Sequence, residues 1–417
     1  MAIYRFKLKP LEPFFFGGEK HILEGGKILN EYFMNSTYYP QQTTLLGMLR
    51  FLLLKLSPEV FNGTQITDKR KAVQLIGERS FDGTIENFGA IKKLSPLFFW
   101  ENQKQLIFQI APRDLFLKIA ESADAMEASK VTINGNPLPY FFLDAQNKRF
   151  NSKKHLNCLD IYLIDEKGES VFKLPEIFDR HDRIGIETHK PLPGDSSSPE
   201  DDPEDKYYRQ VFYSFKKNCS YTYAPGISTN PICPSHENNK NGQNKESNIS
   251  CDWYFMFEAE INDDIFSFPQ NNNNFLPQFI QLGGERVHFR MVIEKMNEFY
   301  HPSLNVSFFE RKVPMLYLLS DAFMEPDKQQ ACSFAITRFT PFRHLMASVQ
   351  ETQHYGAIVN YQSKSSGQIK RSQLFNLIQR GSVFYFLDTS QRDNFIKALK
   401  EARAFFNIGF NQFITNN

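Results

Sequence analysis

The chain opens on a strict alternation of apolar and polar positions, Ala2-Ile3-Tyr4-Arg5-Phe6-Lys7-Leu8-Lys9. A period of two predicts a strand with one buried face. Pro10 and Pro13 end it, and Phe14-Phe15-Phe16-Gly17-Gly18 leads into a flexible turn. The pattern then changes. From Tyr39 to Leu56 the leucines spread over a broad apolar face, Pro40 closes the preceding loop, Thr43 or Thr44 can cap a helix, and Ser57-Pro58 stops it. A helix start of this kind turns backbone N–H groups toward any anion placed there, phosphate included. Short strand-like runs follow at Leu106–Ile110, Ile161–Ile164, Trp253–Glu260, Val313–Leu319 and Ser382–Leu387, with helices predicted at Lys69–Ile76 and Phe395–Phe406. The mixture is α+β with antiparallel sheets, since no regular βα alternation points to a parallel doubly wound sheet.

Three polar tracts interrupt this pattern: residues 191–205, 236–250 and 269–274, the last holding four consecutive asparagines. They cannot bury enough apolar surface to order themselves and read as insertions. At 417 residues the chain is too long for one ordinary core, so two domains, or one domain with large insertions, are expected. Phenylalanine, at 42 residues, supplies most of the core, with a few exposed rings available to stack on bases. The N-terminus lacks the apolar block of a signal peptide. Thr44 to Leu56 carries Arg50 and Lys55 and is too short to span a bilayer. With only five cysteines, the expectation is a cytoplasmic protein with no membrane contact.

A net charge of +1 conceals an uneven distribution. Asp195, Glu200, Asp201, Asp202, Glu204 and Asp205 share one loop with no base. Between Lys364 and Arg403 the bases Lys364, Lys370, Arg371, Arg380, Arg392, Lys397, Lys400 and Arg403 face only Asp388, Asp393 and Glu401. Such a patch permits phosphate binding, although a solvated helix accounts equally well for its second half.

The motifs exclude more than they assign. There is no Walker A loop, no GxGxxG turn and no Gly-x-Ser-x-Gly elbow, which removes most enzyme classes. His181-Asp182 has the form of a phosphohydrolase doublet but lacks further ligands at suitable spacing. Leu282-Gly283-Gly284-Glu285-Arg286 is like the Gly-Gly-acid-acid turn of nucleotide cyclases, except that Arg286 stands where the second carboxylate would hold a metal. It reads as a glycine turn that backbone phosphate can approach, with Arg286 supplying charge, or as a plain hairpin turn. Cys219, Cys233, His236 and Cys251 could form a Cys₃His zinc site, but only Cys233 and His236 have tight spacing. Arg380-Gly381-Ser382-Val383-Phe384-Tyr385-Phe386 partly matches the aromatic strand of an RNA-recognition motif, and a buried core strand explains it as well. No cofactor or metal is expected.

Four stretches together resemble the RAMP superfamily of CRISPR proteins, and within it the tag-binding subunit of Cmr-type (type III-B) complexes. They are the opening strand with Pro10-Leu11-Glu12-Pro13-Phe14-Phe15-Phe16-Gly17-Gly18; the segment from Tyr39 to Arg50 with its Thr-Thr-Leu-Leu-Gly-Met-Leu-Arg start; Arg183-Ile184-Gly185-Ile186; and a C-terminal set comprising Leu282–Arg286, Gly367–Arg371, Arg380–Phe386 and Asn407–Asn411. The resemblance implies two ferredoxin-like (RRM-like) domains, residues 1–180 and 181–417, the second irregular and carrying the insertions. It implies a non-catalytic subunit that holds the 5′ tag of the guide RNA between a large polymerase/cyclase-type subunit and a backbone RAMP subunit. By position, Gly17, Gly18, Thr43, Thr44, Arg50, Gly283, Gly284, Arg286, Lys370 and Arg371 line the RNA path, and Arg50 can equally brace its own helix. Two other classes compete. A metal-independent RAMP endoribonuclease would use His21 with Lys20 or Tyr38. A scaffold would touch protein partners alone.

Overall fold

The fold, a computed structural model, describes residues 1–17, 23–24, 27–28, 32–113, 129–133, 136–143, 161–166, 170–187, 206–219, 222–223, 249–271, 274–275, 278–283, 286–302, 313–329, 331–346, 349 and 370–416. It is a mixed α+β structure, mostly strands paired antiparallel. In chain order its principal elements begin with β1 (Ala2–Pro10), α1 (Gln42–Lys55), α2 (Lys69–Ile76), β2 (Ile91–Leu94), β3 (Phe98–Glu101), β4 (Leu106–Ile110), β5 (Tyr162–Asp165) and β6 (Ser170–Lys173). There follow β7 (Phe178–Glu187), β8 (Lys206–Phe215), β9 (Trp253–Ile261), β10 (Gln278–Leu282) and β11 (Val287–Met296). The chain ends with β12 (Met315–Leu318), β13 (Phe334–Ile336), β14 (Phe375–Ile378), β15 (Val383–Tyr385), α3 (Thr389–Glu401), α4 (Arg403–Asn407) and β16 (Phe413–Thr415).

The alternation that predicts β1 is what the fold uses. Tyr4, Phe6 and Leu8 enter the main core, whereas Arg5, Lys7 and Lys9 lie on the other face of the sheet. β1 is a central strand: β9 pairs with one side, from Ala2↔Ile261 to Leu8↔Phe255, and β11 with the other, from Ile3↔Met296 to Pro10↔Phe289. Beyond β9 come β3, β4, β5 and β6; beyond β11 comes β10; β2 also pairs with β9. The sheet therefore runs across the boundary expected at residues 180 and 181, because β9, β10 and β11 return to flank the first strand. Taken as β1, β3, β9 and β11, its middle reads fourth–first–third–second in chain order.

α1 lays Leu45, Leu49, Leu52 and Leu53 on the same core, each contributing about 1.5–3 kcal/mol of burial. Its start differs from the expected hydroxyl cap. The helix opens after Gln41 without a side-chain cap, so Thr43 and Thr44 fall inside the first turn, where Thr44 N–H donates to the Gln41 carbonyl. α2 is capped by Asp68, whose carboxylate accepts from Lys71 N–H at 3.0 Å, and stops at Gly77 with φ +79°.

The C-terminal sheet has the order β13-β15-β12-β16, all antiparallel, again fourth–first–third–second read from its other edge. α3, capped by Asp388, packs Phe395 and Leu399 on its core with Leu316, Phe384 and Phe386. This disposes of the aromatic strand as a stacking surface: Val383, Phe384, Tyr385 and Phe386 are all buried. The legs of the β13–β15 hairpin continue outward, Phe339–Phe342 pairing with β14 and Leu345–Met346 with Lys370–Arg371.

The two sheets meet through polar groups closed against each other. Tyr317 donates its hydroxyl to the Ile110 carbonyl, Arg113 N–H donates to the Gly381 carbonyl at 2.9 Å, and the Arg113 guanidinium donates to Gln379 Oε1 at 2.7 Å. Arg380, 1% exposed, is held by Asp321 through its backbone N–H (2.9 Å) and Nε (3.4 Å), and its guanidinium lies 4.3 Å from the Tyr39 ring centre. Burial pushes the Tyr39 phenol up to about 12, so it stays neutral beneath the cation.

Candidate nucleic-acid interface

Two of the expected glycine turns come together. After Pro13 the segment Phe14-Phe15-Phe16 is fixed by core packing: Phe14 meets Phe178 and Phe255, Phe15 meets Phe212, and Phe16 meets Phe289. Its backbone is pinned as well. Phe14 exchanges hydrogen bonds with Tyr213, Phe16 N–H donates to Ser36 Oγ at 2.8 Å, and Thr37 N–H donates to the Phe16 carbonyl. Gly17 emerges exposed from this brace, bridged to Ser36. Onto the same segment docks the β10–β11 turn. Gly283 has φ +81°, and a Cβ there would lie 2.3 Å from the Phe15 carbonyl oxygen. Neither the dihedral nor the space admits a side chain. Arg286, also left-handed at φ +54°, donates its N–H to the Gly283 carbonyl and points an exposed side chain outward. Gly18 and Gly284 lie outside the described residues.

The other expected residues fall elsewhere. Thr43 and Thr44 are half-buried where α1 begins, next to Gly409, whose missing Cβ would stand 2.4 Å from the Ser95 carbonyl and 3.0 Å from Gln42 Oε1. That is the seam between the two sheets. Arg50 is turned inward: it is 3% exposed and donates to the Gly77 carbonyl at 3.4 Å, so it braces α1 against the end of α2. Lys370 and Arg371 belong to the outer leg of the β13–β15 hairpin, where Ser372 and His344 exchange hydrogen bonds across the pair. His21 and Lys20 of the nuclease alternative lie outside the described residues. Tyr38 stacks on Phe178 and Tyr213, and burial raises its phenol well above the ordinary value.

The other motifs resolve as packing and ion pairing. His181 Nε2 and Ser214 Oγ are 2.8 Å apart. Asp182 is gripped by Arg209 and Arg180, whose hydrogen bonds hold its carboxyl below the usual range. The doublet is thus an exposed, ion-paired patch of the β7–β8 ribbon, where Arg183 lies over the buried Phe212 ring at 4.2 Å. Of the zinc candidates, Cys251 is a buried thiol, and Cys233 and His236 lie outside the described residues. Sequence reasoning passed over β10, β11 and their outward residues Phe279, His288 and Arg290. The signal was there in the alternation Val287-His288-Phe289-Arg290-Met291, which the fold reproduces as buried, exposed, buried, exposed, buried.

A family model described as CRISPR-associated protein (Cas_Cmr3) matches residues 6–417. Among solved structures, the chain is similar to a chain of the type III-B Cmr-beta complex bound to cognate target RNA, determined by cryo-EM. The identity is 14% and the TM-score 0.42, covering 98% of this chain and 96% of that one. It is also similar to a chain in the crystal structure of the Csm3-Csm4 subcomplex of the type III-A CRISPR-Cas interference complex, with 10% identity, a TM-score of 0.29 and 92% of each chain covered. No curated protein matches the sequence. Among the described residues no helix is long and apolar enough to cross a membrane. With the family pattern running from the first strand to the last residue, the chain belongs to the CRISPR-associated protein (Cas_Cmr3) family and is a subunit of the type III-B (Cmr) kind.

Proposed function

We propose that this subunit is the non-catalytic member that grips the 5′ tag of the guide RNA in a type III-B effector. In this role it stands between the large polymerase/cyclase-type subunit and a backbone RAMP subunit. The observation that carries the reading is the docking of the Gly283–Arg286 turn onto Phe15, beside the exposed Gly17. Two adjacent glycines, Gly283 and Gly284, let a phosphate approach the backbone closely, and an exposed arginine beside them can fork onto phosphate oxygens. Such an arrangement holds a strand by its phosphates. The same reading takes the fold as two ferredoxin-like domains in an antiviral ribonucleoprotein of the cytoplasm. For the fold, what supports this is the fourth–first–third–second strand order in both sheets.

The test is binding of the purified protein to a short guide RNA, with and without its 5′ tag, across a salt series. Expected is tag-dependent binding that weakens as salt rises and leaves the RNA intact. Equal and negligible binding to both RNAs overturns the reading in favour of a protein-only scaffold. Cleavage of repeat RNA that disappears in His21→Ala overturns it in favour of the endoribonuclease.

A further inference from the structure

The face of the main sheet turned away from α1 carries one row of residues across five strands. Phe279 on β10 pairs with Arg290 on β11, Arg290 pairs with Lys9 on β1, and Tyr254 on β9 pairs with Trp100 on β3. Lys9 Nζ closes the row, 5.2 Å from the Tyr254 ring centre. The row therefore runs aromatic, cation, cation, aromatic, aromatic. Trp100 is its buried floor, with Lys7 Nζ 3.9 Å above the ring. Phe279, by contrast, is 57% exposed although it is a large apolar ring, and Tyr254 is half-buried.

The charges on this face are unequally committed. Arg5 is paired with Glu258 at 2.8 Å, Lys7 with Glu294 at 2.8 Å and Lys9 with Asp252 at 2.5 Å, while the Glu12 carboxylate lies 3.0 Å from His288 Nδ1. Arg290 is exposed, and among the described residues no carboxylate lies within ion-pair distance of it. Two further cations border the row. Lys55 reaches the Phe279 carbonyl at the sheet edge (3.4 Å), and Arg286 stands at the turn of the same hairpin.

We propose that this face is a stacking platform for single-stranded RNA, with bases laid on Phe279 and Tyr254 and the backbone phosphates met by Arg290. It extends the Gly283–Arg286 grip by one row of the hairpin, and it rests on the tag-gripping reading only for which strand is bound. Interleaved rings and cations suit a nucleic acid, in which every base has a stacking face and every link a negative charge. What favours RNA over a protein partner is the share of lysine, Lys7, Lys9 and Lys55, because lysine is depleted at the centres of protein interfaces.

The experiment uses the full-length protein and short RNAs with and without the 5′ tag, one series carrying the fluorescent base 2-aminopurine. Phe279→Leu keeps an apolar side chain but loses the ring. Expected is about tenfold weaker binding and loss of the stacking quench of 2-aminopurine, with Phe279→Trp restoring both. Arg290→Ala lowers the salt dependence of binding by about one phosphate contact. Both side chains are exposed, so melting temperatures stay at the wild-type value. If the wild type prefers tagged RNA but Phe279→Leu and Arg290→Ala bind like it, the platform is refuted while the tag reading stands. If these variants weaken binding to tagged and untagged RNA that the wild type binds alike, the platform stands and the tag reading falls. Absence of any RNA binding by the wild type, or variants that impair only assembly with other subunits, refutes the platform.

Discussion

Two places in the molecule bring an arginine near a tyrosine, directly over the ring in one and with a strand between them in the other, and they are opposites. At the seam between the sheets, Arg380 lies over Tyr39, receives the Asp321 carboxylate and is closed off from water. On the outer sheet face, Arg290 shares a row with Tyr254 and remains exposed, with the nearby carboxylates engaged by other cations. The residue types are the same; what differs is whether the fold itself supplies the counter-charge. Where it does, the pair joins two sheets. Where it does not, the pair is available to something outside.

The comparison can be broken most directly at the seam. Asp321→Ala leaves Arg380 buried without its carboxylate and should lower the unfolding free energy by about 3–5 kcal/mol in urea titrations, while RNA affinity per folded molecule stays constant. A loss under about 1 kcal/mol would show that the seam is not closed as described. Next in size is Gly283→Ala. A methyl group aimed at the Phe15 carbonyl, in a left-handed backbone, should cost about 2 kcal/mol and should weaken RNA binding at least as much as Arg286→Ala does. Unchanged RNA binding would separate the turn from the RNA path. Arg50→Met sharpens the contrast from the buried side. It should cost about 1 kcal/mol through the lost bond to Gly77 and leave RNA affinity alone; the reverse result would return Arg50 to the RNA path.

The smallest effect is a pH dependence. His344 is packed between Phe342 and Phe375, its Nε2 against the Phe81 carbonyl, and burial lowers its pKa below the ordinary 6.5. The unfolded chain therefore takes up this proton before the folded protein does. Stability contributed by neutral His344 is complete above about pH 6.5 and declines on acidification through that value. His344→Phe should flatten this part of the stability–pH curve, and an unaltered curve would assign the dependence to other groups.

Much of the fold is legible in the sequence because local pattern and burial coincide. β1, α2, β4 and the strand beginning at Trp253 fall where periodicity places them. Partner choice is not legible. Alternation shows that β1 has one buried face, but nothing in Ala2–Pro10 says that residues 253–261 and 287–296 will flank it. The boundary expected near residue 180 reflects that gap. At the candidate site, the glycine turns are readable because left-handed backbone and close approach leave a compositional trace. Arg50 is not, since an arginine on a helix gives no sign of whether a carbonyl such as that of Gly77 awaits it inside. Phe279 and Arg290 show a third case: the alternation around Arg290 is plain, but only the register sets it beside Phe279 and Lys9.

The central place of β1 bears on how the chain is made. Roughly 240 residues separate Pro10 from the start of its first long partner, which at about 5–20 residues per second is on the order of 10–50 s of synthesis. Through that interval β1 is a strand with both edges open, the kind of segment that pairs with neighbouring chains. Its outward lysines and arginine, Arg5, Lys7 and Lys9, are the charges that discourage such pairing. In the finished protein these same cations are matched by Glu258, Glu294 and Asp252, carboxylates carried on or beside the late-arriving strands. The first strand thus leaves the ribosome guarded by like charge, and the strands that complete the sheet bring its neutralisation with them.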